Sequence, residues 1–144
     1  PPYFRRQLVS ADLTRAGWIR QLPPPAGRAV LIRAEGLLMY LSPTEVVQVL
    51  NDLAQWASKA PAVRLIFDWV CPLSVRLSQL HKALLHTSNP FKPYRSGLHG
   101  LDGLCDPHWQ RHADYDLMPL APLNRVYRAV NGQALSGCQA LQRP

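Results

Sequence analysis

The residues best placed to do chemistry lie in the segment Ala34-Glu35-Gly36-Leu37-Leu38-Met39-Tyr40-Leu41. An apolar run, Ala29 to Ile32, precedes it, and a helix start, Ser42-Pro43-Thr44-Glu45, follows. A carboxylate and a glycine therefore stand at the exit of a buried strand, where open α/β sheets bind their ligands. Glu35 has little capping use there, and an unpaired carboxylate beside a core is costly, so its type and place favour binding over packing. Asp68, near the carboxyl end of a second apolar run, is read as the cap of the following turn and is given no catalytic role.

A second constellation, Cys105-x-x-His108-x-x-x-His112, has a spacing that a zinc site could use, with Asp106, Asp114 or Cys138 as a fourth ligand. A second Cys-x-x-Cys or a paired His motif is missing, and Pro107 interrupts the helix that would align the histidines. No metal is expected. Gly-x-Ser-x-Gly, Walker and His-Glu-x-x-His motifs do not occur, which leaves hydrolase and NTPase chemistry without an anchor.

These groups need a frame, and strand and helix signals alternate along the chain. Arg6 to Ala11 is a short strand candidate, followed by a helical turn with Trp18, Ile19 and Leu22 and by the connecting loop Pro23-Pro24-Pro25-Ala26-Gly27. Ala29 to Ala34 reads as a strand. Ser42-Pro43-Thr44-Glu45 supplies an N-cap, a proline at the first helical position and the glutamate of a capping box. Val46, Val49, Leu50, Leu53 and Ala57 then form one apolar helix face. Val63 to Val70 is a second apolar strand, and after Pro72 the residues Leu73, Leu77, Leu80 and Leu84 recur at helical spacing.

Thr87 to Asp106, rich in Gly, Pro, Ser and His, reads as a long loop over the carboxyl edge of the sheet. Trp109 to Leu117 is a strand candidate, Leu123, Val126, Tyr127 and Val130 form a short helix stripe, and Ala134 to Leu141 is a last strand. Strand, helix, strand, helix with short connections argues for an open α/β sheet with parallel strands at its centre.

A chain of 144 residues with 47% hydrophobic content fits a single domain with a core. Arginines and prolines interrupt every apolar run, and no signal peptide opens the sequence, so a soluble cytoplasmic protein is expected. Three widely spaced cysteines, Cys71, Cys105 and Cys138, suit reduced thiols better than a disulfide framework. The net charge of +7 is spread without a run of five or six like charges. Aromatics are not interleaved with it as a base-stacking platform requires, so it reads as a solvated basic surface. The chain starts on Pro1-Pro2 and is expected to be a piece of something longer.

The series Leu8-Val9-Ser10-Ala11-Asp12-Leu13, then Trp18, then Ala34-Glu35-Gly36-Leu37-Leu38-Met39-Tyr40-Leu41, then Leu65-Ile66-Phe67-Asp68 resembles the second half of the leucine carboxyl methyltransferase family. That family holds class I S-adenosylmethionine-dependent O-methyltransferases, including bacterial members associated with polyketide methylation. The match covers roughly residues 5 to 70, and beyond them only the order of elements. It implies a Rossmann-like sheet in which Arg6 to Ala11 is the third strand, Ala29 to Ala34 the fourth and Val63 to Val70 the fifth, with two antiparallel-related strands after them. Residues 1–144 would then be one partial domain, without the first two strands.

The resemblance implies that Asp12 accepts from the exocyclic amine of the adenine and Leu13 covers a face of the ring. It implies that Glu35 holds the cofactor's ammonium group, because a cationic amine leaving water needs a carboxylate partner. Gly36 would let the backbone approach the cofactor closely, and Tyr40 would position the acceptor oxygen near the methyl. Plainer roles stand beside these: Asp12 capping the turn that follows, Tyr40 as a core tyrosine with a bonded hydroxyl.

A carboxylate acceptor, whether of a small molecule or a protein carboxyl terminus, needs no general base; for a hydroxyl, His86 or His99 would be the candidate. The family's Gly-x-Gly-x-Asp-x-Arg loop and the acid for the ribose hydroxyls do not occur in the sequence. The chain alone is therefore expected to bind S-adenosylmethionine weakly or not at all, and to be inactive by itself unless paired with an N-terminal half. The alternatives are a non-catalytic methyltransferase-like binding or regulatory protein and, less favoured, a basic nucleic-acid-binding module.

Overall fold

The apolar run after Gly27 forms β1 (Val30–Ala34) in the computed structural model, which describes residues 7–85, 93–97, 109–117, 121–131, 134 and 136–143. The segment Ser42 to Trp56 follows its sequence signals closely. Ser42 Oγ accepts from the Glu45 N–H at 3.3 Å while the Glu45 carboxylate accepts from the Ser42 N–H at 2.6 Å, the reciprocal pair that starts α1 (Pro43–Trp56). Val46, Val49, Leu50 and Leu53, spaced for one helix face, are all buried. After a 3-10 turn, Ala57–Lys59, the chain enters β2 (Val63–Val70), then α2 (Pro72–Leu85), β3 (Gln110–Asp116), α3 (Pro122–Asn131) and β4 (Ser136–Gln142).

The sheet order is β1-β2-β4-β3. β1 and β2 run parallel in register, Val30 opposite Val63 and Ala34 opposite Phe67. The last strand returns between β2 and β3 and is antiparallel to both, with a register shift between Arg111 and Ala113. The fold is thus mixed α/β. The expectation of parallel strands at the centre is corrected: among the described residues the one parallel pairing lies at an end of the sheet, because β4 takes the place beside β2.

Alternation decides where the core sits. Val63, Leu65 and Phe67 of β2, with Ala34 and Leu141 opposite or beside them, point to one face and pack under Val46, Val49, Leu50 and Leu53 of α1. Trp18, in a 3-10 turn at Trp18–Gln21, joins that cluster and donates from Nε1 to Asp52 of α1 at 2.9 Å. Trp109 does the same from the other side, its Nε1 reaching the Leu50 carbonyl at 3.2 Å.

Three further expectations change. The strand expected from Arg6 to Ala11 does not form over its described part: residues 7–11 pair with no strand and Leu8 is fully exposed, since no described neighbour offers them a ladder. The second helix is present with Leu73 against the core, but Leu77 and Leu80 of its apolar stripe are exposed, and among its described side chains the buried one is Ser78, which accepts from the Tyr94 N–H at 3.1 Å. Of the stripe expected on α3, Leu123, Val126 and Val130 face outward, while Tyr127 packs against the core. Beside Tyr127 the docking face is polar: Asn124 Nδ2 donates to the Asp116 carboxylate at 2.9 and 3.1 Å, and Arg128 pairs with it at 3.2 Å.

Candidate functional site at the carboxyl ends of β1 and β2

Parallel pairing brings the carboxyl ends of β1 and β2 side by side. The chain leaves β1 through Glu35 and turns at Gly36, whose φ of +58° is the left-handed region that a glycine enters without steric cost. Nothing lies within 4 Å of the position a Cβ would take there, so the turn borders open space. The Gly36 N–H donates to both oxygens of the Asp68 carboxylate, at 2.9 and 3.0 Å. Asp68 thereby fixes the turn to the neighbouring strand.

Beyond the turn, Leu38–Tyr40 forms a 3-10 turn whose Leu38 and Met39 are buried. Their carbonyls receive a second segment: Arg95 N–H and Ser96 N–H donate to the Met39 oxygen at 2.8 and 3.2 Å, and Ser96 Oγ donates to the Leu38 oxygen at 2.9 Å. These contacts lay the Tyr94 ring against Tyr40, with centroids 5.6 Å apart and planes tilted by 54°. Arg95 Nη1 reaches Glu45 at 3.1 Å, tying the same segment to the start of α1.

The electrostatics follow from these neighbours. Burial, and then the negative charges that Tyr40 and Asp68 can carry nearby, push the Tyr94 hydroxyl above its ordinary pKa. The Ser42 N–H, and then the Ser42 hydroxyl and the Arg95 charge, hold the Glu45 carboxyl below its ordinary value.

The expected site residues fall in two groups. Glu35, Gly36 and Tyr40 lie together at the strand ends: Glu35 is exposed and ion-paired with Arg33, and Tyr40 is half-buried against Tyr94. Asp12 takes the local geometry of a turn cap, accepting from the Thr14 N–H at 3.0 Å and Thr14 Oγ1 at 2.7 Å and pairing with Arg15 at 3.3 Å. The Thr14 hydroxyl and N–H, with the Arg15 charge, hold its carboxyl below the ordinary value. Leu13 is half-buried and joins Ala34 and Leu37 in lining an apolar cavity of about 260 Å³. Leu13 is thus carried to the cavity along β1, while the contacts of Asp12 stay local to its own turn.

Three residues of this corner escaped sequence reasoning. Asp68 was assigned to capping, yet it occupies the register position beyond Ala34–Phe67, beside the expected turn, and that position was the available signal. The cap of α2 comes instead from Cys71, whose buried Sγ accepts from the Ser74 N–H at 3.4 Å. Tyr94 and Arg95 belong to the expected loop Thr87 to Asp106, of which 93–97 are described. His86, His99, Cys105, Asp106 and His108 lie outside the described residues. Among the described residues no three His, Cys, Asp or Glu side chains converge on a metal-sized site, and no helix is long and apolar enough to cross a membrane.

Comparison of the chain with family models, with curated proteins and with solved structures finds no match in any of the three.

Proposed function

We propose that this chain forms the carboxyl-terminal part of a class I, Rossmann-like methyltransferase domain and contributes half of an S-adenosylmethionine site for O-methyl transfer. The observation that carries the reading is the Glu35-Gly36 turn. It sits at the carboxyl end of a parallel strand pair, open on its outer side, and Leu13 lines the apolar cavity that runs along the strand leading into it. Two strands antiparallel to their neighbours follow that pair, in keeping with the resemblance.

The residues present fit a methyl donor of this kind. Glu35 is exposed and holds Arg33 in a surface pairing, which is weak enough for an ammonium group to replace. Gly36 leaves room for a ligand against the backbone, and Leu13 offers an apolar surface for a ring. S-adenosylmethionine supplies an electrophilic methyl on a sulfonium when bound. Around it Glu35 binds the ammonium end, Asp12 and Leu13 take the adenine end, and Tyr40 positions the acceptor oxygen.

A carboxylate acceptor, of a small molecule or a protein carboxyl terminus, is already ionised at neutral pH, so positioning and exclusion of water are the main demands on the chain. A Gly-rich strand exit that would complete the site is not in this sequence, which makes the isolated affinity weak.

Titration of the 144-residue chain with millimolar S-adenosylmethionine, followed by amide chemical shifts, tests the proposal. Shifts confined to Asp12, Leu13, Glu35, Gly36 and Tyr40, and lost in Glu35→Gln, are expected. Shifts elsewhere, or none, overturn the site; micromolar affinity overturns its being half of one.

A further inference from the structure

The strand exit gathers two carboxylates, Glu35 and Asp68, and one arginine, Arg33, on the same side of the sheet. We propose, resting on the methyl-donor reading of that corner, that Arg33 occupies Glu35 in place of a ligand's ammonium group and passes to Asp68 when the ligand binds. The free chain thereby inhibits its own site.

Register places the three groups together. Residues two apart in a strand share a face, so Arg33 and Glu35 leave β1 on one side. Arg33 stands opposite Ile66, and Asp68 lies two residues further along β2 on that same side. Continuing the ladder past Ala34 and Phe67 sets Glu35 beside Asp68. Like charges directly opposite one another are destabilising, and a cation held between them relieves the repulsion.

The contacts show which carboxylate the arginine takes. Arg33 Nη2 donates to Glu35 Oε1, and both side chains are exposed. Asp68 meanwhile accepts the Gly36 N–H on both of its oxygens. An ionised carboxylate offers about four lone-pair sites, so Asp68 can accept from a guanidinium without releasing the turn. Among the described residues no other cation pairs with Glu35 or Asp68. Two carboxylates and one arginine leave the corner one positive charge short.

An ammonium group supplies that charge. It meets Arg33 on the carboxylate it needs, and two cations there repel each other. Asp68 offers Arg33 a second partner on the same face, one strand away. The exchange leaves every charge paired, ammonium on Glu35 and guanidinium on Asp68. Because the Arg33–Glu35 pair is exposed and weak, Arg33 biases the site and does not lock it.

The test follows amide shifts of the whole chain during titration with three probes: S-adenosylmethionine; S-adenosylhomocysteine, which keeps the ammonium; and methylthioadenosine, which lacks it. Arg33→Gln removes the competing charge. It is expected to tighten the first two roughly two- to fivefold, the range of an exposed ion pair, and to leave the third unchanged. Asp68→Asn keeps an oxygen for the Gly36 N–H and should weaken the same two probes by a similar factor, but by clearly less when Arg33 is already Gln. Amides of α1 and β2 report that each variant is folded. Absence of shifts at Glu35 and Gly36 in every variant overturns the methyl-donor reading and this inference with it. Shifts with unchanged or weaker affinity in Arg33→Gln overturn the inference alone, as does an equal gain for methylthioadenosine. Equal losses from Asp68→Asn in both backgrounds also overturn it, since Asp68 would then act without Arg33.

Discussion

The two faces of the sheet are made by the same strands and meet opposite fates. On one, Val63, Leu65 and Phe67 disappear beneath α1. On the other, the same register lines up Leu31, Arg33, Arg64 and Tyr115, and Leu31 and Tyr115 are 66% and 61% exposed. An alternating pattern tells a strand which of its faces is apolar, but burial needs a second layer, and α1 supplies one across the Val63, Leu65 and Phe67 face. The difference predicts a large asymmetry under truncation. Phe67→Ala should cost about 3–5 kcal/mol, because a fully buried ring leaves a cavity. Leu31→Ala should cost less than about 0.5 kcal/mol in the isolated chain, as an exposed substitution does. Urea unfolding of both variants checks this; a comparable loss from Leu31→Ala would mean that its face is covered.

The same asymmetry explains which elements were legible in the sequence. β1, α1 and β2 could be read because their signals are local: a capping box, a 3.6-residue apolar period and two apolar runs within 41 positions, from Val30 to Val70. The helix at α3 was legible as a helix, but its orientation was not. Leu123, Val126 and Val130 have the spacing of a buried stripe, whereas the face that docks is Tyr127 on the core with Asn124 and Arg128 on Asp116, a polar pairing to a strand six residues upstream of the helix start. The insertion of β4 between β2 and β3 is a pairing of distant segments, and no local pattern encodes it. The strand expected at Arg6 to Ala11 had the right composition but, over residues 7–11, no described neighbour to pair with.

At the candidate site the legible part was Glu35-Gly36, since a glycine at a strand exit announces a turn. The brace was not legible, because Asp68 lies 32 residues away and becomes relevant only through the parallel register. Asp68→Ala should remove both acceptors of the Gly36 N–H and cost about 1–2 kcal/mol, less than a core deletion since the released N–H can turn to water. Exchange of the Gly36 amide should accelerate more than that of any amide in α1. If it does not, the turn is held by its own conformation, and Gly36→Ala, which must strain at φ +58°, becomes the more damaging change.

The smallest expected effect separates the covered region by pH. Glu45 closes the capping box of α1, and the Ser42 N–H, with the Ser42 hydroxyl and the Arg95 charge, lowers its pKa from an ordinary 4.5, against the opposing effects of desolvation and of the Asp12 charge. A carboxyl whose folded pKa lies below its unfolded value stabilises the fold above the unfolded value, and the contribution fades as pH falls through the folded one. Glu45→Gln keeps the shape and a hydrogen-bond acceptor but removes the charge. The melting-temperature gap between the chain and Glu45→Gln should therefore be widest near neutral pH and narrow as pH falls below the ordinary value of 4.5. Glu35, on the exposed side of the same corner, is the comparison: its substitution by Gln should leave the melting temperature at neutral pH nearly unchanged, since its pairing with Arg33 is in water. A gap at Glu45 that does not change with pH would mean that the box works through neutral hydrogen bonding alone.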